Sequence, residues 1–209
     1  VFQYSAGIAA EPGFQLVQAR FKALMPIEEA FVCIERHLKK IGRPLTAFAH
    51  CELRSPGQFD DQGFIDFNRK YVGTLERWGI YQAESSKGKF INPVARTNVC
   101  PEHFGPSEVE MYAFTYTIPA SVDAPRSFVI SGGGDARSGT EPYRDRIVAY
   151  GDVSKEGLKL KMEFVLREMI QRVESLGFKW RDVTGLQAYS VHNIGSLVEE
   201  VFAKNDYLP

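Results

Sequence analysis

Two charged residues stand in strand-like runs whose apolar neighbours predict burial. Arg96 lies between Val94 and Val99, and Glu110 directly follows Val109. Because a β-strand alternates its side chains between two faces, a charged residue on a covered face needs a partner or a ligand. One interpretation is a pair of surface residues that form a cross-strand ion pair. The other is a cleft in which the guanidinium binds a carboxylate bidentately and the glutamate handles a water or a proton.

Other catalytic patterns are weak or absent in the sequence. There is no nucleophile elbow of the GxSxG type and no P-loop lysine. The run Ser131-Gly132-Gly133-Gly134 resembles a phosphate cradle, but the pattern predicts a turn and a strand after it rather than a helix. The three cysteines and four histidines form neither CxxC nor HxxxH. We therefore expect free thiols, no metal and no cofactor.

Composition limits the partners of the chain. Its 209 residues carry a net charge of −1, and no basic run exceeds two residues, so a nucleic-acid ligand is not expected. No apolar stretch approaches the roughly 18 residues that span a bilayer, and there is no signal-peptide pattern. We expect a cytoplasmic protein with a small-molecule carboxylate as its ligand.

The pattern predicts a first α+β unit over residues 1–120. Its elements have the order ββαβαββ and begin with a hairpin around Glu11-Pro12-Gly13. The predicted strands are 1–9, 14–21, 46–54, 94–100 and 108–118, and the helices begin at Pro26 and at Asp60-Asp61.

A second, incomplete unit is predicted over residues 127–209, after a linker at 121–126. The pattern predicts a hairpin, a helix that ends at Gly177, a strand and a short helix. Its helix–Gly–strand block repeats that of the first unit at an offset of 135 residues, which favours duplication. The hairpin covers 127–132 and 145–152, the strand 183–191 and the short helix 194–204.

Three motifs, taken in order, carry a family resemblance. They are FxxFNxxY from Phe64 to Tyr71, ARTxV from Ala95, and VEMYAF from Val109. Together with the helix–Gly–strand block they resemble the RidA/YjgF/YER057c/UK114 family. The resemblance implies tandem chorismate-mutase-like barrels that form trimers, with clefts between adjacent barrels. It also implies hydrolysis of imines and enamines, including 2-aminomuconate from the breakdown of aromatic amines.

The resemblance implies roles for individual residues. Arg96 maps onto the arginine that holds the substrate carboxylate, and Glu110 onto the glutamate that positions the attacking water. Asn68 maps onto the helix asparagine, and Asn98 lies two residues after the arginine. Ser131-Gly132 matches the Ser-Gly of the family's first hairpin, and is expected to contact substrate.

These observations predict a hydrolytic deaminase that acts on the C=N bond of a small imine or enamine carboxylate. An imine conjugated to a carboxylate is already electrophilic, so positioning and an electrostatic frame would suffice for catalysis. Two alternatives stay open at this point. One is a non-catalytic oligomer that binds small carboxylates, and the other is a hydrolase like the chorismatases.

Overall fold

The computed structural model describes residues 4–57, 61–82, 91–203 and 206–207, without the side chains of Asp61 and Phe64. The chain divides into two compact units, Val1–Ser131 and Gly132–Pro209. The first unit contains β1 (Gly7–Ala9), β2 (Phe14–Pro26), α1 (Ile27–Lys40), β3 (Phe48–Arg54), α2 (Asp61–Arg77), β4 (Ala95–Val99), β5 (Glu110–Pro119) and β6 (Phe128–Ile130). The second contains α3 (Tyr143–Arg146), α4 (Lys155–Ser175) and α5 (Gly195–Leu197).

A four-stranded mixed sheet forms the centre of the first unit. Its strand order is β2-β5-β3-β4, with β3 and β4 parallel and the other neighbours antiparallel. β1 and β6 pair separately as a two-stranded ribbon. Ser5, just before β1, forms a parallel bridge to Ala95 at the outer edge of β4.

Helix α1 forms because its apolar residues recur at helical spacing. Phe31, Ile34 and Leu38 are buried on one face. Acidic residues occupy the first turn and basic residues the last, as the helix dipole favours. The chain turns away two residues after the helix, at Gly42, whose φ of +69° is a left-handed conformation that glycine adopts without steric cost.

The helices cover one face of the sheet. Cys51 and Leu53 of β3 are fully buried in the same core as Tyr71 and Leu75 of α2 and Phe31 of α1. The intervening residues of β3 therefore point to the opposite face. The sheet thus has one apolar face under the helices and one face that carries polar side chains.

The predicted element order holds through β5, but the predicted first hairpin is wrong. β1 pairs with β6, from Gly7 opposite Ile130 to Ala9 opposite Phe128, and β2 pairs with β5. The ten-residue β5 gives the 13-residue β2 a much longer ladder than the three-residue β1 can offer. The turn at Gly13, with φ of +86°, separates the two strands without pairing them.

The second unit is organised around α4. Ser154 caps the helix, because its Oγ accepts a hydrogen bond from the Gly157 amide at 3.1 Å. Leu166 of α4 packs with Val201 and Phe202 of a π-helical turn that follows α5. Within the described residues, no helix has the length and apolar character to cross a membrane.

Two predictions for the second unit are wrong. The segments 127–132 and 145–152 do not form a hairpin, because β6 joins β1 instead and α3 precedes a turn at residues 148–151. Residues 183–191 carry no strand. The α+β class is confirmed, whereas the tandem RidA-like architecture stays a prediction.

Candidate active site

Arg96 is the second residue of β4 and is buried beneath α2. It lies directly beside Cys51 of the parallel neighbour β3, on the helix-covered face. Its side chain is only 5% exposed. Its Nη1 donates to the Oδ1 of Asn68, on α2, at 2.8 Å. The structure thus brings together two of the predicted site residues, one from a strand and one from a helix.

Three aromatic rings surround the Arg96 guanidinium. Its Cζ lies 4.7 Å from the ring centroid of Tyr4, 4.9 Å from that of Tyr71 and 5.4 Å from that of Phe67. Ring faces stabilise a cation by about 0.5–2 kcal/mol each without neutralising it. Among the described residues, no carboxylate forms an ion pair with Arg96. The site therefore holds a desolvated positive charge that an anionic ligand can neutralise.

Ser131 holds the backbone of Arg96. Its Oγ accepts from the Arg96 amide at 2.9 Å and donates to the Ser5 carbonyl at 2.6 Å. Ser131 is fully buried, so these bonds fix the outer edge of β4. Its predicted contact with substrate stays a prediction. Gly132 belongs to the second unit, where its carbonyl accepts from Arg172, and its predicted role also stays a prediction.

Asn98 is two residues beyond Arg96 on β4 and therefore shares its face of the sheet. The side chain is exposed, and its Oδ1 accepts a hydrogen bond from the Ser55 hydroxyl at 2.9 Å. Asn98 is thus held in place at a solvent-facing position along the strand that carries the arginine.

Glu110 begins β5 and lies on the other face of the sheet. Its ladder partner is Arg54 of β3. Arg54 is three residues beyond Cys51, so its side chain points away from the helices, and the side chain of Glu110 points the same way. Glu110 is half-buried, and within the described residues its carboxylate has neither a hydrogen-bond nor an ion-pair partner. A cross-strand ion pair with Arg96 is therefore wrong, because β3 separates their strands and their side chains leave opposite faces. The surface-facing interpretation of Arg96 is also wrong.

A family-model comparison decides the identity of the chain. The model described as "2-aminomuconate deaminase CnbZ" matches residues 1–208. The chain belongs to the CnbZ family. It is also 57% identical over 205 residues to the 2-amino-5-chloromuconate deaminase of Comamonas testosteroni, a match that covers 98% of this chain and 79% of that protein. No solved structure matches the chain.

Membership of the CnbZ family confirms the sequence-based prediction of a deaminase. It argues against the two alternatives, the non-catalytic binder and the chorismatase-like hydrolase. The roles of Arg96 and Glu110 remain predictions, as does the placement in the RidA/YjgF family.

The face of the sheet that carries Glu110 holds a polar row that the sequence analysis missed. His50, Glu52 and Arg54 alternate along β3, and the first two are nearly inaccessible. The Glu52 carboxylate accepts from Gln18, and the Arg54 guanidinium lies 4.5 Å from the ring centroid of Tyr112. The signal was present in the sequence, since the spacing AHCELR puts all three charged or titratable residues on one face of the predicted strand.

Burial sets the protonation states of three groups near the sheet. It lowers the pKa of His50 to about 4, so this imidazole is neutral at pH 7. It raises the pKa of the Cys51 thiol to about 11, despite the opposing field of Arg96, and raises that of Tyr71 well above its ordinary value. Burial therefore disfavours the thiolate form of Cys51 at neutral pH.

A surface groove of about 480 Å³ lies between α1 and α2 of the CnbZ-family chain. Phe67 and Tyr71 line it, and both rings also contact the Arg96 guanidinium. Arg96 itself is not in the groove wall. Across the residues that the structure describes, no cluster of three or more His, Cys, Asp or Glu side chains could hold a metal ion.

Proposed function

We propose that the chain hydrolyses an enamine or imine carboxylate of the 2-aminomuconate class and releases ammonia. In this proposal, Arg96 binds a substrate carboxylate and Glu110 positions the water that attacks the C=N carbon. The proposal rests on one observation. The Arg96 guanidinium is buried and surrounded by aromatic rings, and among the described residues no carboxylate forms an ion pair with it. Burial of such a charge costs free energy unless an anionic ligand compensates with an ion pair.

Asn68 and the aromatic rings restrict the position of the Arg96 guanidinium. The hydrogen bond from Nη1 to Asn68 holds one edge of the guanidinium, and the Cζ lies 4.7 Å and 4.9 Å from the ring centroids of Tyr4 and Tyr71. An arginine held in this way offers its edge, where two parallel N–H groups match the two oxygens of a carboxylate. A flat, conjugated carboxylate also suits the neighbouring ring of Tyr4.

The proposed reaction balances with one water consumed and one ammonia released. The enamine first takes a proton on carbon and becomes an iminium ion. Water then adds its oxygen to the C=N carbon while Glu110 accepts one water proton. That proton passes to nitrogen, and the C–N bond breaks with its electron pair on ammonia. The remaining hydroxyl forms the C=O bond of a 2-oxo acid and releases its proton, which balances the proton taken up on carbon. Arg96 holds the carboxylate next to the reacting carbon throughout.

The opposite faces of Arg96 and Glu110 lead us to propose that two barrels complete each site. Arg96 and Asn68 would come from one copy of the chain and Glu110 from a neighbouring copy. The element order ββαβαββ through Pro119 supports a RidA/YjgF-like barrel, whose family resemblance implies trimers with clefts between adjacent barrels. A closed ring of copies presents the two faces to each other at every interface.

The experiment is an assay of ammonia release with 2-aminomuconate generated in situ. We expect turnover by the unmodified chain and almost none by Arg96→Ala. Arg69→Ala is the matched control, because Arg69 is exposed on the same helix as Asn68 and forms a surface ion pair with Asp66. Equal activity of the two variants would contradict the proposed role of Arg96.

A further inference from the structure

The substrate class of the chain carries two carboxylates. 2-Aminomuconate is a conjugated six-carbon chain with a carboxylate at each end, and its nitrogen is on the carbon next to one of them. In the proposed function, Arg96 binds the carboxylate beside the reacting carbon. The other carboxylate lies four carbon–carbon bonds beyond that carbon, so a site that neutralises both charges needs a second cation near Glu110.

Two arginines share one aromatic ring on the face of the sheet that carries Glu110. The Cζ of Arg20 lies 5.6 Å from the ring centroid of Tyr112, and the Cζ of Arg54 lies 4.5 Å from the same centroid. Arg20 Nη1 also donates to the Tyr112 hydroxyl at 3.1 Å. Tyr112 is two residues after Glu110 on β5, so the two positions are roughly 6–7 Å apart along the strand. A guanidinium held at Tyr112 is therefore within reach of the far end of a substrate at Glu110.

A β-bulge turns Tyr112 toward this face. Glu52 and Leu53 are consecutive on β3, yet their partners on β5 are two residues apart, so Tyr112 between these partners is an extra residue. Bulges of this kind change the direction of a side chain and are common beside active sites. Because Arg54 lies on the polar face, its contact with the ring shows that Tyr112 points to that face too.

Arg20 has the more accessible of the two charges. The side chain of Arg54 is only 11% exposed, and its Nη2 lies 3.9 Å from the Oε2 of Glu52. Arg20 is exposed, and among the described residues no carboxylate forms an ion pair with it. Because the ring and hydroxyl of Tyr112 already hold its guanidinium, Arg20 loses less side-chain entropy on binding an anion than an unrestrained arginine would.

We propose that Arg20 binds the distal carboxylate of the muconate chain and that Tyr112 positions Arg20. This subsite rests on the proposed function, because it requires the reacting carbon to lie between Arg96 of one copy and Glu110 of its neighbour. The rest of the substrate then extends along β5 of that neighbour as far as Arg20. Arg20 thereby determines the preference for dicarboxylate over monocarboxylate substrates.

Muconate and sorbate are matched probes for this subsite. They share a conjugated six-carbon chain and differ at one end, where sorbate has a methyl group in place of a carboxylate. We expect calorimetric titration to show that the unmodified chain binds muconate roughly ten- to a hundredfold more tightly than sorbate, because of one charge-assisted contact. In Arg20→Met, the Kd of muconate should rise to about that of sorbate, while the Kd of sorbate stays unchanged.

Arg36→Met is the matched control, because Arg36 is an exposed arginine on α1, on the helix-covered side of the sheet. Tyr112→Phe should weaken muconate binding by a smaller factor, roughly two- to tenfold, since the ring remains but the hydroxyl that accepts from Arg20 is lost. Equal binding of muconate and sorbate by the unmodified chain would overturn the subsite. A preference for muconate that is as strong in Arg20→Met as in Arg36→Met would also overturn it.

Steady-state ammonia release separates this subsite from the proposed function. We expect Arg20→Met to raise KM for 2-aminomuconate roughly ten- to a hundredfold with kcat nearly unchanged, because the distal contact is made equally in the ground state and the transition state. A fall in kcat with an unchanged KM would place Arg20 in the chemical step and overturn its role in recognition. Full activity of Arg96→Ala would instead contradict the proposed function itself.

Discussion

Arg96 and Glu110 leave opposite faces of one sheet, separated by β3. Arg96 lies beside Cys51 under α2, whereas Glu110 lies opposite Arg54 on the polar face. A single first unit therefore has a buried cation on one face and, on the other, a carboxylate that has no partner among the described residues. In our proposal for the deaminase, association of copies brings such a cation and such a carboxylate together in one site.

The planar guanidinium of Arg96, with its two parallel N–H donors, should be essential for activity. We expect Arg96→Lys to lose roughly thirty- to a thousandfold in kcat/KM, because an ammonium keeps the charge but cannot make the bidentate contact. Steady-state ammonia release checks this, with Arg69→Lys as the control. Unchanged kinetics of Arg96→Lys on every accepted substrate would remove Arg96 from the site.

A carboxylate placed beside Arg96 should compete with the substrate. Asn68→Asp keeps the size of the side chain but turns the 2.8 Å hydrogen bond into an ion pair. We expect KM to rise roughly ten- to a hundredfold, and more than in Asn68→Ala, because the substrate carboxylate must displace the new partner. The melting temperature of Asn68→Asp should not fall. A KM no higher than that of Asn68→Ala would refute the proposed anion site.

The charge of Glu110 should serve turnover rather than binding. We expect Glu110→Gln to lose about 10²–10⁴-fold in kcat while the Kd of a 2-oxo acid product stays nearly unchanged. Ammonia release and calorimetric titration of the product measure the two quantities separately. If both match the unmodified protein, the proposed mechanism is wrong.

The buried His50 should make the fold sensitive to acid. Its pKa is lowered from 6.5 to about 4 by burial, so between these values the unfolded chain binds more protons than the folded chain. The free energy of unfolding should therefore fall as the pH drops through this window, by up to about 3 kcal/mol from this group. Urea unfolding at several pH values should show a flatter dependence in His50→Asn. An unchanged slope would show that His50 does not titrate in this way.

Chelation should leave turnover intact. The proposed route uses a guanidinium, a carboxylate and a water, because a conjugated imine carbon is electrophilic without a Lewis acid. We expect dialysis against EDTA to change kcat by less than about twofold. A loss that added Zn²⁺ or Mn²⁺ restores would require a different mechanism.

Local pattern predicted the elements of the first unit well, since the periodicity of α1 and the apolar runs of β3 and β5 are encoded in neighbouring residues. Which strands pair with each other was less predictable. β1 and β2 are adjacent in sequence, yet each pairs with a strand more than 80 residues away, and no local signal specifies such a partner.

The candidate site was predictable in part for the same reason. A buried position for Arg96 and its proximity to Asn68 were implied by apolar neighbours and a family resemblance. The surrounding rings include Tyr4, from a distant part of the chain, which spacing alone does not place. The opposite faces of Arg96 and Glu110 depend on the order of strands and on the register across β3, and both are tertiary properties.

Mixed oligomers test the central claim most directly. Arg96→Ala and Glu110→Gln chains would carry different tags, be co-expressed, and be purified through both tags in turn. Each variant alone should be nearly inactive. In a mixed trimer, one of the three interfaces combines an intact Arg96 with an intact Glu110, so about a third of the unmodified activity should return. A dual-tagged complex that stays as inactive as its parents would contradict a site shared between copies.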